Sequence, residues 1–168
     1  MGAGCGLQPA CSTCGVVKWT KFSPANERYS VFMPCKPEAS TANMDTPVGP
    51  VPASVFSAKA SKGYAFAVMH CSLPPEANLS DPKEYFDKML KVLSGGAGGA
   101  RLVSSAEVAL HGTPGRELVW EKSSQWLVTS RVYLMGSDCY HAFAIMPKGR
   151  ECIQHAREFV ESFDLKQK

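Results

Sequence analysis

Residues 116–147 read RELVWEKSSQWLVTSRVYLMGSDCYHAFAIMP, and this stretch decides the fold. It divides into three apolar runs separated by SS and GSD, short breaks made of turn-forming residues. In the middle run Trp126, Val128, Ser130, Val132 and Leu134 share one face, and Leu127, Thr129, Arg131, Tyr133 and Met135 share the other. In the last run Cys139, His141, Phe143 and Ile145 oppose Tyr140, Ala142, Ala144 and Met146. Side chains alternate across a pleated strand, so the period of two predicts three consecutive strands. Both faces carry apolar residues, which predicts a sheet covered on both sides. The alanines leave one face low enough for a helix to approach closely. No catalytic motif lies in this meander.

Working outward, residues 101–110 (RLVSSAEVAL) read as a further strand with Leu102, Ala106, Val108 and Leu110 inward. The turn HGTPG at 111–115 joins that strand to the meander. Upstream, Asp81, Pro82 and Glu84 open a helix as cap, first-turn residue and dipole partner. Its apolar stripe is Tyr85, Phe86, Met89, Leu90 and Leu93, and Gly95 with Gly96 ends it. Residues 55–58 and 63–71 form a hairpin around Ser61, Lys62 and Gly63, while 16–22 and 28–33 make two earlier strands. The polar, proline-rich segment 37–52 reads as an exposed loop with a mobile tip. After Pro147 a last helix begins near Arg150. Ile153, Ala156, Val160 and Phe163, flanked by Cys152 and Phe159, would be buried, and Glu151, Arg157, Glu158 and Glu161 would face water. The expected architecture is α+β, an antiparallel β-sheet with helices packed on its faces. Residues 1–15 are expected to be a flexible tether and 16–168 one domain.

The chain has 168 residues, enough to bury a core without cross-links. A formal charge of +3, with no basic cluster, argues against nucleic-acid binding. No apolar run approaches the length of a membrane span. Seven cysteines are many for a reduced compartment, and the odd number asks for an explanation. Gly2, Ala3 and Gly4 before Cys5 resemble the end of a bacterial lipoprotein signal, which would make Cys5 a lipid anchor. Cys11, Cys14, Cys35, Cys71, Cys139 and Cys152 would then remain as an even set able to form disulfides outside the cytoplasm.

The remaining motifs carry little chemistry. Cys11 and Cys14 form a CxxC that could hold half a metal site or a redox disulfide; Gly15 stands where haem attachment needs histidine. No second pair completes a zinc site. His70, His111, His141 and His155 show no paired metal-ligand spacing, and His70 and His141 are expected to be satisfied residues within strands. The glycines at 95–99 follow a helix, the reverse of a phosphate loop. Arg116 and Glu117 are expected to form a surface ion pair, and Trp19, Trp120 and Trp126 to pack in the core. The residues imply no catalytic group, no cofactor and no metal.

Several phrases together resemble a known family. WTKFS at 19–23 precedes RYSVFMP at 28–34; later come GTPGRE at 112–117, RVYL at 131–134 and FVESF at 159–163. Over about residues 16–165 this is similar to uncharacterised bacterial domains with the PsbP-like α/β/α sandwich. The extrinsic PsbP subunit of photosystem II and a Ran-binding import factor share that architecture. The resemblance implies docking onto another protein. The resulting expectation is a non-enzymatic accessory domain, an extracytoplasmic lipoprotein or peripheral subunit of a membrane-associated complex, touching the membrane only through its anchor. Two alternatives stand beside it: a metal or thiol-redox module on Cys11 and Cys14, and a small-ligand carrier with a pocket between sheet and helix. A sizeable apolar cavity would favour the last.

Overall fold

A computed structural model describes residues 18–59, 64–96 and 100–166. Its elements run β1 (Thr20–Phe22), β2 (Tyr29–Met33), β3 (Glu38–Thr46), β4 (Gly49–Lys59) and β5 (Ala65–Ser72), then α1 (Pro82–Gly96). There follow β6 (Arg101–Leu110), β7 (Thr113–Ser123), β8 (Trp126–Met135), β9 (Asp138–Pro147), α2 (Arg150–Glu161) and β10 (Asp164–Leu165). Seven strands form one sheet in the order β3-β4-β5-β9-β8-β7-β6, and every neighbouring pair is antiparallel. A second sheet of three, β1-β2-β10, completes the α+β architecture. The small sheet was not foreseen, because β10 has only two residues and pairs with Tyr29 and Ser30 from the far end of the chain.

The meander is as its periodicity predicts except at Trp126, which opens its strand packed beside Tyr64 in the α2-side core and not with Val128, Val132 and Leu134. Tyr140, Ala142, Ala144 and Met146 point to one face and pack with Cys152, Ala156, Phe159, Val160 and Phe163 of the α2 region. Cys139, Val132 and Leu134 point to the other face and pack with Tyr85, Phe86 and Met89 of α1. Ala142 and Ala144 are fully buried, so their small side chains form the floor on which α2 lies. Ile153 is a correction: it is 41% exposed, turned outward from the α2 stripe that Cys152, Ala156, Phe159 and Val160 make.

The segment read as a loop at 37–52 is instead a hairpin of β3 and β4. Thr46 and Gly49 close it around Pro47 and Val48; Gly49 has φ +102, and the Thr46 hydroxyl donates to the Gly49 carbonyl at 2.6 Å. Pro50 and Pro52 hid this strand because proline cannot donate to a ladder. They pair with Asp45 and Asn43, the alternate positions of an antiparallel pair whose amides point away from the partner strand. No bond is lost there.

A second difference lies in β6. The register shifts between Leu102 and Ser104, so Leu102 joins the α1 face while Val108 and Leu110 join the α2 face. A bulge inserts one residue and inverts the alternation beyond it. Ala106, expected inside, is exposed. The following turn is carried by His111 and Gly112, both with positive φ (50 and 80), as a two-residue hairpin turn requires. The first strand begins at Thr20, not Val16, and residues 16 and 17 lie outside the described part.

Ala144→Leu would push branched carbons into the interface with α2. It is expected to cost about 1–3 kcal/mol, read as a lower urea midpoint with unchanged slope.

Candidate functional site

The two faces of the sheet are finished differently. Beneath α2 the aromatic rings of Tyr29, Tyr133, Tyr140 and Phe163 close the core, with Tyr133 and Phe163 stacked at 5.5 Å. Beneath α1 the cover is partial. Asp81 caps that helix, accepting from the Lys83 amide at 2.9 Å and from that of Glu84 at 3.3 Å. Arg116 holds it down: its guanidinium donates to Asp87 at 3.0 Å and lies over the Phe86 ring. Glu117 faces the opposite way and pairs with Arg131 at 2.7 Å, so the expected Arg116–Glu117 pair does not form. Adjacent strand residues point to opposite faces.

Between α1 and the sheet lies a cleft of about 510 Å³. Its walls are mainly apolar, with Met89 and Leu93 from the helix and Met69, Val128, Phe143 and Ile145 from the sheet. Cavities of this size and character are typical of small-molecule sites. Asp45, Lys122 and Asn43 stand among the polar residues that line it.

His141 stands in this lining, against the Phe143 ring at 5.1 Å. Part of its side chain meets the cleft, but Nε2 is buried and has no hydrogen-bond partner. The expectation of a satisfied strand histidine therefore fails. Burial lowers its pKa to about 4, so at neutral pH the ring is uncharged. His70 fulfils the expectation: Nδ1 lies 2.6 Å from Glu27, Nε2 lies 3.1 Å from Asp138, and the ring stacks on Tyr140 at 4.5 Å. That cluster fastens the turn before β2 to the sheet. His111 meets Asp164 at 2.6 Å and His155 meets Glu158 at 3.3 Å.

At the buried end of the α1 face three sulfur atoms converge. Cys71 of β5 and Cys139 of β9 stand directly opposite each other in the ladder. Both are thiols, so the complete pairing expected from the cysteine number does not hold for these two. The ladder sets the two thiols side by side, and Cys71 Sγ lies 3.6 Å from Met44 Sδ. The Cys139 thiol beside it holds the Cys71 thiol below its ordinary range, whereas Cys71 and burial push Cys139 well up. Tyr85 brings its hydroxyl to Cys139, and burial raises its pKa. That hydroxyl has no well-formed hydrogen bond.

Of the other cysteines, Cys35 is half-buried beyond β2 and Cys152 is buried on α2. Cys5, Cys11 and Cys14, with the lipid-anchor and CxxC readings, lie outside the described residues. Among the described residues no group of three His, Cys, Asp or Glu side chains could hold a metal, and no helix is long and apolar enough to cross a membrane. Met44 was missed because its segment was read as a loop. The apparent signal was its position as a lone large apolar residue two places from Ala42 and Thr46.

These features define an antiparallel sheet sandwiched by two helices, with a cleft under one of them. No protein-family profile matches the chain, and no curated protein does. The solution structure of cyanobacterial PsbP (CyanoP) from Synechocystis sp. PCC 6803 is similar, with a TM-score of 0.63 at 14% identity over 94% of this chain and 98% of that one. A crystal structure of PA94 from Pseudomonas aeruginosa, a protein of unknown function titled a putative regulator, gives 0.48 at 8% identity over 82% and 88%. The fold is PsbP-like.

His141→Leu should raise stability at pH 7 by about 1 kcal/mol, since it removes an unsatisfied buried nitrogen. The unfolded histidine takes up a proton below about pH 6.5, and the folded one only near 4. The wild-type chain should therefore lose on the order of 2–3 kcal/mol as pH falls from 7 to 4, a loss the leucine variant lacks. Urea unfolding at pH 7, 5.5 and 4.5 measures both effects.

Proposed function

We propose that this chain is a non-enzymatic accessory domain that binds another protein by adding an extended segment of it to β3. The observation that carries this is the state of the two sheet edges. β6 is guarded by its bulge and by Arg101 and Glu107. β3 is nine residues long, regular in register from end to end, and exposed from Glu38 to Asn43. Between Glu38 and Asp45 it carries no charge and no proline. A long edge with no bulge, whose charges Glu38 and Asp45 flank an uncharged run of six residues, is a template for strand addition. Among the described residues no strand pairs with its outer side.

On this reading the docking amides are those that the register turns outward. Asn43 and Asp45 oppose the two prolines, so their N–H groups point outward, and Ala39 and Thr41 share that parity. Thr41→Pro removes one outward donor and leaves the ladder to β4 whole. A photo-crosslinker at Ala39 in cells should capture a partner from the wild-type chain, and Thr41→Pro should reduce capture at least tenfold with the circular dichroism spectrum unchanged. Capture undiminished by the proline would show that β3 is not the docking edge.

The cleft supports a second reading, a carrier of small apolar ligands, because it meets the size and lining such a role needs. An environment-sensitive apolar dye should bind one site per chain, and Leu93→Trp, which fills the cleft, should abolish the fluorescence. Dye binding equal in both proteins would remove this reading.

A further inference from the structure

We propose that Met44, Cys71 and Cys139 form a binding site for copper(I), reached through the cleft under α1. Two thiols and a thioether are the soft donors that select this ion over harder divalent cations. Metal–thiolate bonds are about 2.3 Å, so three sulfurs around one ion in a plane stand about 4 Å apart. Cys71 Sγ and Met44 Sδ are already 3.6 Å apart, and Cys139 stands directly opposite Cys71 in the ladder, buried on the same face. Little rearrangement is needed to admit the ion.

The surroundings fit that ion. Ala53 of the intervening strand is buried in the same cluster, and its small side chain leaves room for Met44 to reach Cys71. Met44 also lines the cleft, together with Met69, Met89 and His141. Thioethers and a neutral imidazole thus mark the way from solvent to the thiols. The Tyr85 hydroxyl, buried beside Cys139 without a well-formed bond, becomes a donor to a coordinated thiolate. On binding, both thiols lose their protons as the two sulfur–copper bonds form, so one copper(I) replaces two protons and the site gains a single negative charge, toward which the Tyr85 hydroxyl donates. No electron is transferred. Zinc would want a fourth hard or borderline ligand, which this constellation does not supply.

The test uses the full chain carrying C5S, C11S, C14S, C35S and C152S, so that Cys71 and Cys139 are its only cysteines. Anaerobic titration of copper(I) against bicinchoninate should show one equivalent bound, with an all-sulfur shell by X-ray absorption. Cys71→Ser with Cys139→Ser should abolish uptake, and Met44→Leu, a volume-conserving change, should weaken it about tenfold or more. Should the serine variant not fold, Met44→Leu decides alone. The proposal is overturned by no uptake in competition, by uptake that Met44→Leu leaves unchanged, or by zinc bound more tightly than copper(I).

Discussion

Everything in the large sheet hangs on one pairing, that of β5 with β9. Eight consecutive partners join them, from Ala65 with Ile145 to Ser72 with Asp138. Every other pairing in that sheet links strands adjacent in sequence, as β3-β4-β5 and as β6-β7-β8-β9. The chain is therefore two local meanders sewn together along a single seam, with α1 as the crossover between them. Closing a long loop costs entropy before its contacts repay it. Six of its residues meet that cost by burial: Val68, Cys71, Cys139, Tyr140, Ala142 and Ala144 are all at most 2% exposed.

The same seam explains what could be read from the sequence. Local patterns were legible: the meander's alternation, the Asp81 cap, the α1 stripe and the alanine floor under α2 follow from neighbours in the chain. Three features were not. The β3–β4 hairpin was masked by prolines whose harmlessness depends on register. The β6 bulge moved Leu102 to the opposite face without any change in composition. The small sheet rests on Asp164 and Leu165 meeting Ser30 and Tyr29, a contact between distant segments that no window of sequence contains.

The candidate site was the least legible part for a related reason. Cys71 and Cys139 look like two unrelated cysteines until the seam places them opposite each other. Met44 becomes their neighbour only once its segment is a strand. His141 was placed correctly on its face, yet whether its Nε2 would find a partner depended on what α1 covers. One face of the sheet is thus completed by rings and alanines as a rigid core, and the other is left with sulfur atoms, an unsatisfied nitrogen and open volume.

The seam also sets a timetable for synthesis. β5 leaves the ribosome 80 residues ahead of Ile145, the partner of Ala65, which at about 5–20 residues per second is roughly 4–16 s. For that interval the nascent chain carries the run from Phe66 to Val68 with one side of its backbone unmet. A helper that shields this segment during translation would therefore raise the yield of native protein far more than one that acts after release.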